Sequence, residues 1–437
     1  MAAAWPTPAG LLYRVGRDIY FYFNAGDCCY ELLDRDNFML VSVIDYETAT
    51  QRPLCSVPGC THDSESCPAY LPAKSADSII FTAGEKVYVY HPASSLPYTG
   101  NWEQYYQENV LPGLQDPTLR EGMNGQEFEA YHRGLFVSRT QPAGLYVLDK
   151  AGTSRQFQPL SQNLDDFVRL YWCDGARLYG CRGMLDSQQV SQGYCVSLAD
   201  GTVTDLPLEQ GEIILEAGEN CLFTERLVGE EPLQNLQGEA LQAALQQAKI
   251  EICRLSLPDG TRSKVAEFAY LDQDGIQYRP LGCQGGKVYC SKEQCTADGS
   301  KVLGFWSCDL TTGDFEPVLE PLAQASMMIS SGNTTALPGT AQQQGRYLWF
   351  TGSSGFSLDL AWVLDTANGE LTAVQQTLAG DPYQRAVRGV GVTDDGRFLI
   401  GIRRPDPEGP DYEYGLIDVE AFLQGSTDYT PVTTIQR

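Results

Sequence analysis

YCVSLADGT (residues 194–202) is a short strand that runs to the edge of an Asp and turns on Gly-Thr. The same form recurs as MLVSVIDYETA (39–49), GLYVLDKAGT (144–153), EICRLSLPDGT (251–261), FWSCDLTTGD (305–314), AWVLDTANGE (361–370) and YGLIDVEAF (414–422). A carboxylate at a strand end accepts hydrogen bonds from the backbone of the turn that follows it. Asp45, Asp149, Asp309, Asp365 and Asp418 are therefore expected to be turn formers rather than reagents.

A second element alternates with this one: a turn containing Gly, then an apolar, aromatic-rich strand. Its copies are VGRDIYFYF (15–23), AGEKVYVY (83–90), HRGLFVS (132–138), DGARLYGC (174–181), AGENCLFTE (217–225), GGKVYCSK (285–292), QGRYLWFTG (344–352) and DGRFLIGI (395–402). Glycine reverses the chain, and alternate residues of the strand face opposite sides. Short strands at regular spacing also fit a sandwich, but self-similarity at a long period selects an all-β propeller. Seven outgoing strands predict about seven blades in one domain spanning 1–437.

Eight incoming copies face those seven, so an eighth blade stays open. AGEKVYVY is the surplus copy, because the Pro/Tyr/Gln-rich stretch 91–124 behind it offers no outgoing partner and reads as an insertion or a degenerate blade. In EEPLQNLQGEALQAALQQAKIE (230–251), Leu233, Leu236, Leu241 and Leu245 recur at helical spacing, predicting a small helical insertion on one face.

Composition agrees with this reading. Hydrophobic residues make up 43% of the 437 and charged residues 20%, enough to bury a core, and 24 Tyr, 16 Phe and 43 Gly suit pleated strands joined by tight turns. The net charge of −26 repels phosphate backbones and anionic lipid, which excludes nucleic acid and favours cations or basic partners. MAAAWPTPAG has neither a basic n-region nor an apolar h-region, and no apolar run reaches the ~18 residues of a membrane helix. The chain as written is expected to be soluble, without direct membrane insertion; a cell-surface setting would follow from a signal already removed. Of 14 cysteines, Cys173, Cys181, Cys195, Cys221, Cys253, Cys283, Cys290 and Cys308 fall in strand-like segments, where Cys acts as a small buried hydrophobe.

One segment concentrates soft ligands. In PLCSVPGCTHDSESCPAY (53–70), Cys55, Cys60, His62 and Cys67 form C-x4-C-x-H-x4-C among turn residues that let the chain wrap an ion. Three thiolates and an imidazole are a tetrahedral zinc set, and four protein ligands leave no open position, so the expected ion is structural. A Cys60–Cys67 disulfide, with Cys55 pairing towards Cys28 or Cys29, stays open beside it, as do unlinked thiols. The loop is expected to staple the first blade to its neighbour.

The run VIDYETATQRPLCSVPGCTHDSESCPAY (43–70) resembles the N-terminal signature of propeller proteins, often lipoproteins, from Gram-positive gut bacteria. These share a strand ending in an Asp-Tyr-Glu-Thr-like turn that leads into Leu-Cys…Cys-x-His…Cys-x-Ala-Tyr. The resemblance implies a fold and a cell-surface setting, not a reaction. This chain departs from the lipoprotein pattern in lacking a signal and lipobox Cys.

Catalytic patterns are sparse: three histidines, and no Gly-x-Ser-x-Gly, phosphate-binding Gly-rich loop or His-Glu-x-x-His. His91 follows a strand and His132 precedes a turn, so both read as surface or strand-end residues. The expected function is a noncatalytic module that binds protein, peptide or carbohydrate. The alternative is a glycan hydrolase or lyase working through paired carboxylates in the central channel.

Overall fold

The computed structural model describes residues 22–435 apart from 36–37, 74, 76, 121, 183–191, 210, 219, 230–235, 272–273, 285, 297–298, 321–333, 337–345, 353–359, 375, 377–386 and 404–411. Seven antiparallel sheets follow one another along the chain as the blades of a seven-bladed β-propeller. Blade 1 contains β1 (Tyr22–Asn24), β2 (Cys28–Asp34), β3 (Met39–Asp45) and β4 (Thr50–Pro53), with β5 (Tyr70–Leu71) paired to β3. Blade 2 contains β6 (Ile79–Ala83), β7 (Lys86–His91), β8 (Gly144–Asp149) and β9 (Arg155–Pro159). Blade 3 contains β10 (Val168–Cys173), β11 (Arg177–Arg182), β12 (Gly193–Ser197) and β13 (Val203–Leu206). Blade 4 contains β14 (Ile213–Gly218), β15 (Cys221–Val228), β16 (Lys249–Ser256) and β17 (Arg262–Ala269). Blade 5 contains β18 (Ile276–Gln284), β19 (Lys287–Thr296), β20 (Gly299–Asp309) and β21 (Phe315–Leu319). Blade 6 contains β22 (Thr334–Ala336), β23 (Tyr347–Gly352), β24 (Leu360–Asp365) and β25 (Glu370–Val374). Blade 7 contains β26 (Arg388–Val392), β27 (Arg397–Arg403), β28 (Tyr412–Asp418) and β29 (Thr430–Pro431), and the chain ends with β30 (Thr433–Thr434), parallel to β4.

The repeated hairpin of the sequence is the second and third strand of each blade. Its Asp residues close the next turn: Thr48 N–H donates to Asp45 at 2.8 Å, Thr153 N–H to Asp149 at 2.9 Å, Thr311 N–H to Asp309 at 2.8 Å, Ala367 N–H to Asp365 at 3.0 Å and Ala421 N–H to Asp418 at 2.9 Å. Cys173, Cys181, Cys195, Cys221, Cys253, Cys290 and Cys308 are buried in strands, and each is a free thiol.

Turns between third and fourth strands also hold the blades together. Gly152, at φ +70°, sits so close to blade 1 that a Cβ would lie 2.9 Å from the Leu54 carbonyl and the Cys55 nitrogen. Gly201 repeats this one blade on, at φ +71° and 2.6 Å from the Pro159 carbonyl. Only glycine combines that backbone conformation with that approach.

The ring closes between blades 7 and 1 through polar contacts. Asn24 Nδ2 donates to the Val392 carbonyl at 2.8 Å, and Asp394 N–H to Gly26 O at 2.8 Å. Buried Glu31 accepts from Gln51 Nε2 at 2.6 Å and from the Tyr414 hydroxyl, while Thr434 Oγ1 donates to Gln51 Oε1 at 3.0 Å.

Three sequence expectations are corrected. HRGLFVS is no strand: it lies in helix α3 (Gly125–Thr140) of an insertion that also carries α1 (Trp102–Tyr105) and α2 (Leu111–Gln115) around buried Tyr105, Val110 and Phe128. AGEKVYVY is therefore not surplus, because β7 pairs directly with β8 across that insertion. In blade 1 the partner of β3 is CCYELLD (28–34), behind a turn at Gly26 with φ +97°; of VGRDIYFYF, residues 15–21 lie outside the described residues. In the second insertion the helix is α4 (Gly238–Leu245), and Leu233 lies outside the described residues.

Antiparallel order separates two faces. Turns from first to second and third to fourth strands emerge at one end of the blades. Connections from second to third strands, and from blade to blade, leave at the other, here called the connection face.

Candidate metal centre

Residues 54–69 leave β4, loop outward and return as β5. Val41 anchors both ends: its carbonyl accepts from Leu54 N–H at 2.8 Å, and its N–H donates to Ala69 O at 2.9 Å. Within the loop, Cys60 N–H donates to Val57 O at 3.3 Å and Cys67 N–H to Ser64 O at 3.0 Å, making tight turns on either side of His62. His62 itself takes φ +60°, a left-handed conformation uncommon outside glycine, which turns its imidazole inward.

The four sequence candidates converge. One ligand atom from each of Cys55, Cys60, His62 and Cys67 lies within 4.8 Å of the other three, and His62 Nδ1 is 3.3 Å from Cys67 Sγ. Cys55, His62 and Cys67 are buried, Cys60 is half-buried, and all three sulfurs are free thiols, so the disulfide alternatives do not appear here. Four donors set tetrahedrally at ~2.3 Å from an ion would be about 3.8 Å apart, so the group needs a contraction of about 1 Å at most. Donor type, number and spacing thus fit a closed Cys3His site.

Burial pushes the Cys67 thiol up to about 12 and raises Cys55, while the backbone amides of Ala69 and Val57 pull the other way on their respective sulfurs. Burial also lowers His62, with Asp63 opposing. These shifts disfavour the thiolates of Cys55 and Cys67 and the imidazolium of His62 in the absence of a cation; a divalent ion would take the place of the thiol protons.

The loop rests on blade 2. Ser56 donates to the Gly152 carbonyl twice, through N–H at 2.9 Å and Oγ at 3.2 Å. From β9, the Arg155 guanidinium donates to the Cys67 carbonyl at 3.4 Å and the Glu65 carbonyl at 3.2 Å. Neither Gly152 nor Arg155 carries a sequence signal for this role, since each lies about a hundred positions from the ligand it supports.

The remaining histidines lie apart from this group. His91 ends β7 but is 1% exposed, not a surface residue, with both ring nitrogens unpartnered, and burial takes it down to about 4. His132 precedes no turn; it lies within α3, packed 4.4 Å from the Phe128 ring, with Nδ1 3.2 Å from the Tyr105 hydroxyl. Several buried carboxylates are committed to protein partners: Glu31 as above, Glu212 to Arg262 at 2.9 Å and Thr224 at 2.6 Å, and Asp365 to Arg346 at 3.1 Å. Glu225, pushed up to about 7 by burial, has its Oε2 sealed from solvent without a partner.

The exposed large apolar side chains among the described residues are Val57, Leu96, Leu119, Tyr131, Phe167 and Leu227. Five lie in connections of the connection face, and Leu227 is the penultimate residue of β15, at the strand end that leads into another. Leu96, Leu119 and Tyr131, exposed by 69%, 55% and 43%, share the helical insertion.

No protein-family model matches the chain, and no curated protein sequence does. Among solved structures, it is similar to an acylaminoacyl peptidase from Pyrococcus horikoshii, with 9% identity and a TM-score of 0.49, covering 95% of this chain and 52% of that one. The chain thus spans about half the length of that enzyme. It is also similar to the β-propeller domain of the Trilobed protease from Pyrococcus furiosus, with 9% identity, a TM-score of 0.47, and 95% and 96% of the two chains covered. An oligogalacturonate lyase in complex with manganese is similar at 12% identity and a TM-score of 0.45, over 96% and 93%.

Proposed function

We propose that the chain is a noncatalytic β-propeller that binds a protein, peptide or carbohydrate ligand on its connection face. The observation that carries this reading is the gathering of all six exposed large apolar side chains of the described residues on that face. Apolar exposure concentrated on one face suits an interaction surface, and aromatic and long aliphatic side chains serve peptide and sugar surfaces alike. The charge of −26 turns nucleic acid away and favours neutral or basic ligands. The test is binding of the purified chain to immobilised glycan and peptide libraries. The wild type should retain a ligand that Leu119→Asp combined with Tyr131→Ala loses and the opposite-face variant Asp259→Ala keeps. Binding indifferent to the connection-face substitutions, or turnover of a captured glycan, would overturn the reading.

The same proposal includes one structural zinc on Cys55, Cys60, His62 and Cys67. Three thiolates and an imidazole are a soft set suited to that ion, and with no fifth position the ion holds the chain rather than a substrate.

A further inference from the structure

We infer that metal capture by the 54–69 loop and the loop's grip on blade 2 are a single linked event, with Arg155 as the positioning residue that couples them. This rests on the zinc reading above. Its support is where the blade 2 contacts fall. Cys55 and Cys67, the two most buried ligands, begin and end the ligand set along the chain. Ser56, next to Cys55, is tied to the turn between β8 and β9 at Gly152, and the carbonyl of Cys67 itself is held by Arg155.

A guanidinium is a planar fork with fixed donor directions. By donating to the carbonyls of both Glu65 and Cys67, Arg155 fixes one peptide plane within the Ser64–Cys67 turn and the one that follows the last ligand, and with them the direction of Sγ. Cys60 and His62 lie between the two anchored ends, so the ion draws the middle of the loop onto a frame that blade 2 supplies. Coupling of this kind is reciprocal: what blade 2 adds to ion affinity, the ion adds to the order of blade 2. Partners behind the ligands contribute about 10–100-fold to metal affinity.

The experiment uses the full chain with zinc alone as the probe. Zinc affinity is measured by competition with a chromophoric chelator for wild type, Arg155→Ala and Arg155→Lys, and amide hydrogen exchange is followed on zinc-loaded and stripped wild type. The expected result is about 10–100-fold weaker binding in Arg155→Ala with partial recovery in Arg155→Lys. Stripping should speed exchange at residues 150–157 as well as 54–69, with the strands of blade 4 unmoved. Unchanged affinity in Arg155→Ala, or faster exchange confined to 54–69, would overturn the coupling and leave the zinc site standing. Wild type that takes up no zinc would overturn both. The exchange comparison needs no variant, so it decides the matter even if Arg155→Ala fails to fold.

Discussion

Replacing Gly152 with Ala tests the seam between blades 1 and 2. The left-handed backbone at φ +70° costs an L-residue about 1–2 kcal/mol. The new methyl would also stand 2.9 Å from the Leu54 carbonyl and the Cys55 nitrogen, backbone atoms that cannot rotate aside, and overpacking of that kind costs about 1–3 kcal/mol. The sum is about 2–5 kcal/mol. Gly84→Ala is the control, because Gly84 is also left-handed, at φ +56°, but a Cβ there meets nothing within 4 Å. At about 2.1 cal/mol/K per residue, unfolding 437 residues carries about 0.9 kcal/mol/K. Calorimetry should therefore show Tm lower by about 2–5 °C for Gly152→Ala and about 1–2 °C for Gly84→Ala. Gly201→Ala delivers the same insult at the next seam, against Pro159, away from the Cys/His loop. It should match Gly152→Ala in Tm yet keep the zinc affinity that Gly152→Ala loses. Equal Tm values for Gly152→Ala and Gly84→Ala would refute the seam argument.

At the closing seam, Glu31→Ala removes the carboxylate that accepts from the Gln51 amide and the Tyr414 hydroxyl in a buried site and should cost about 2–4 kcal/mol in a urea melt; a loss under about 0.5 kcal/mol would contradict the polar closure. Glu225, raised from 4.5 to about 7, holds in the folded chain a proton that the unfolded chain has already released. Its contribution therefore weakens as pH rises through that window, and the full deficit, about 3 kcal/mol, applies above it. Glu225→Gln should stabilise at pH 8 and change little at pH 4, and superimposable melts at pH 8 would exclude this. His91 has the opposite sign: it is lowered from 6.5 to about 4, so its contribution is intact above 6.5 and lost as pH falls through that range. His91→Phe should flatten the acid limb of the stability curve, and an unchanged limb would count against a buried neutral imidazole.

Features written by local chemistry were legible in the sequence. Each strand-ending Asp caps its own turn within four residues, so its role is contained in a short string. The ligand types of the Cys/His loop were equally visible, because all four sit within 13 positions. Misreadings arose where a local pattern had two solutions. HRGLFVS offers a Gly and an apolar run, as a hairpin strand does, but Asn124 upstream accepts from Gln126 and Glu127 N–H while Glu127 takes the Asn124 N–H. That capping box commits the segment to helix, and N-x-x-E was there to be read. CCYELLD does not show the apolar pattern of the other incoming strands, because Glu31 interrupts it, and the partners that let Glu31 be buried, Gln51 and Tyr414, are distant in sequence. For the same reason no local signal marked Arg155 or the pairing of β30 with β4.

Metal analysis of the purified full chain beside Cys60→Ser tests the Cys/His site most directly. About one zinc per wild-type chain is expected, retained through gel filtration and lost in the variant. A wild-type chain that carries no metal and takes up none from added zinc, with Cys55, Cys60 and Cys67 titrating as free thiols, would contradict it.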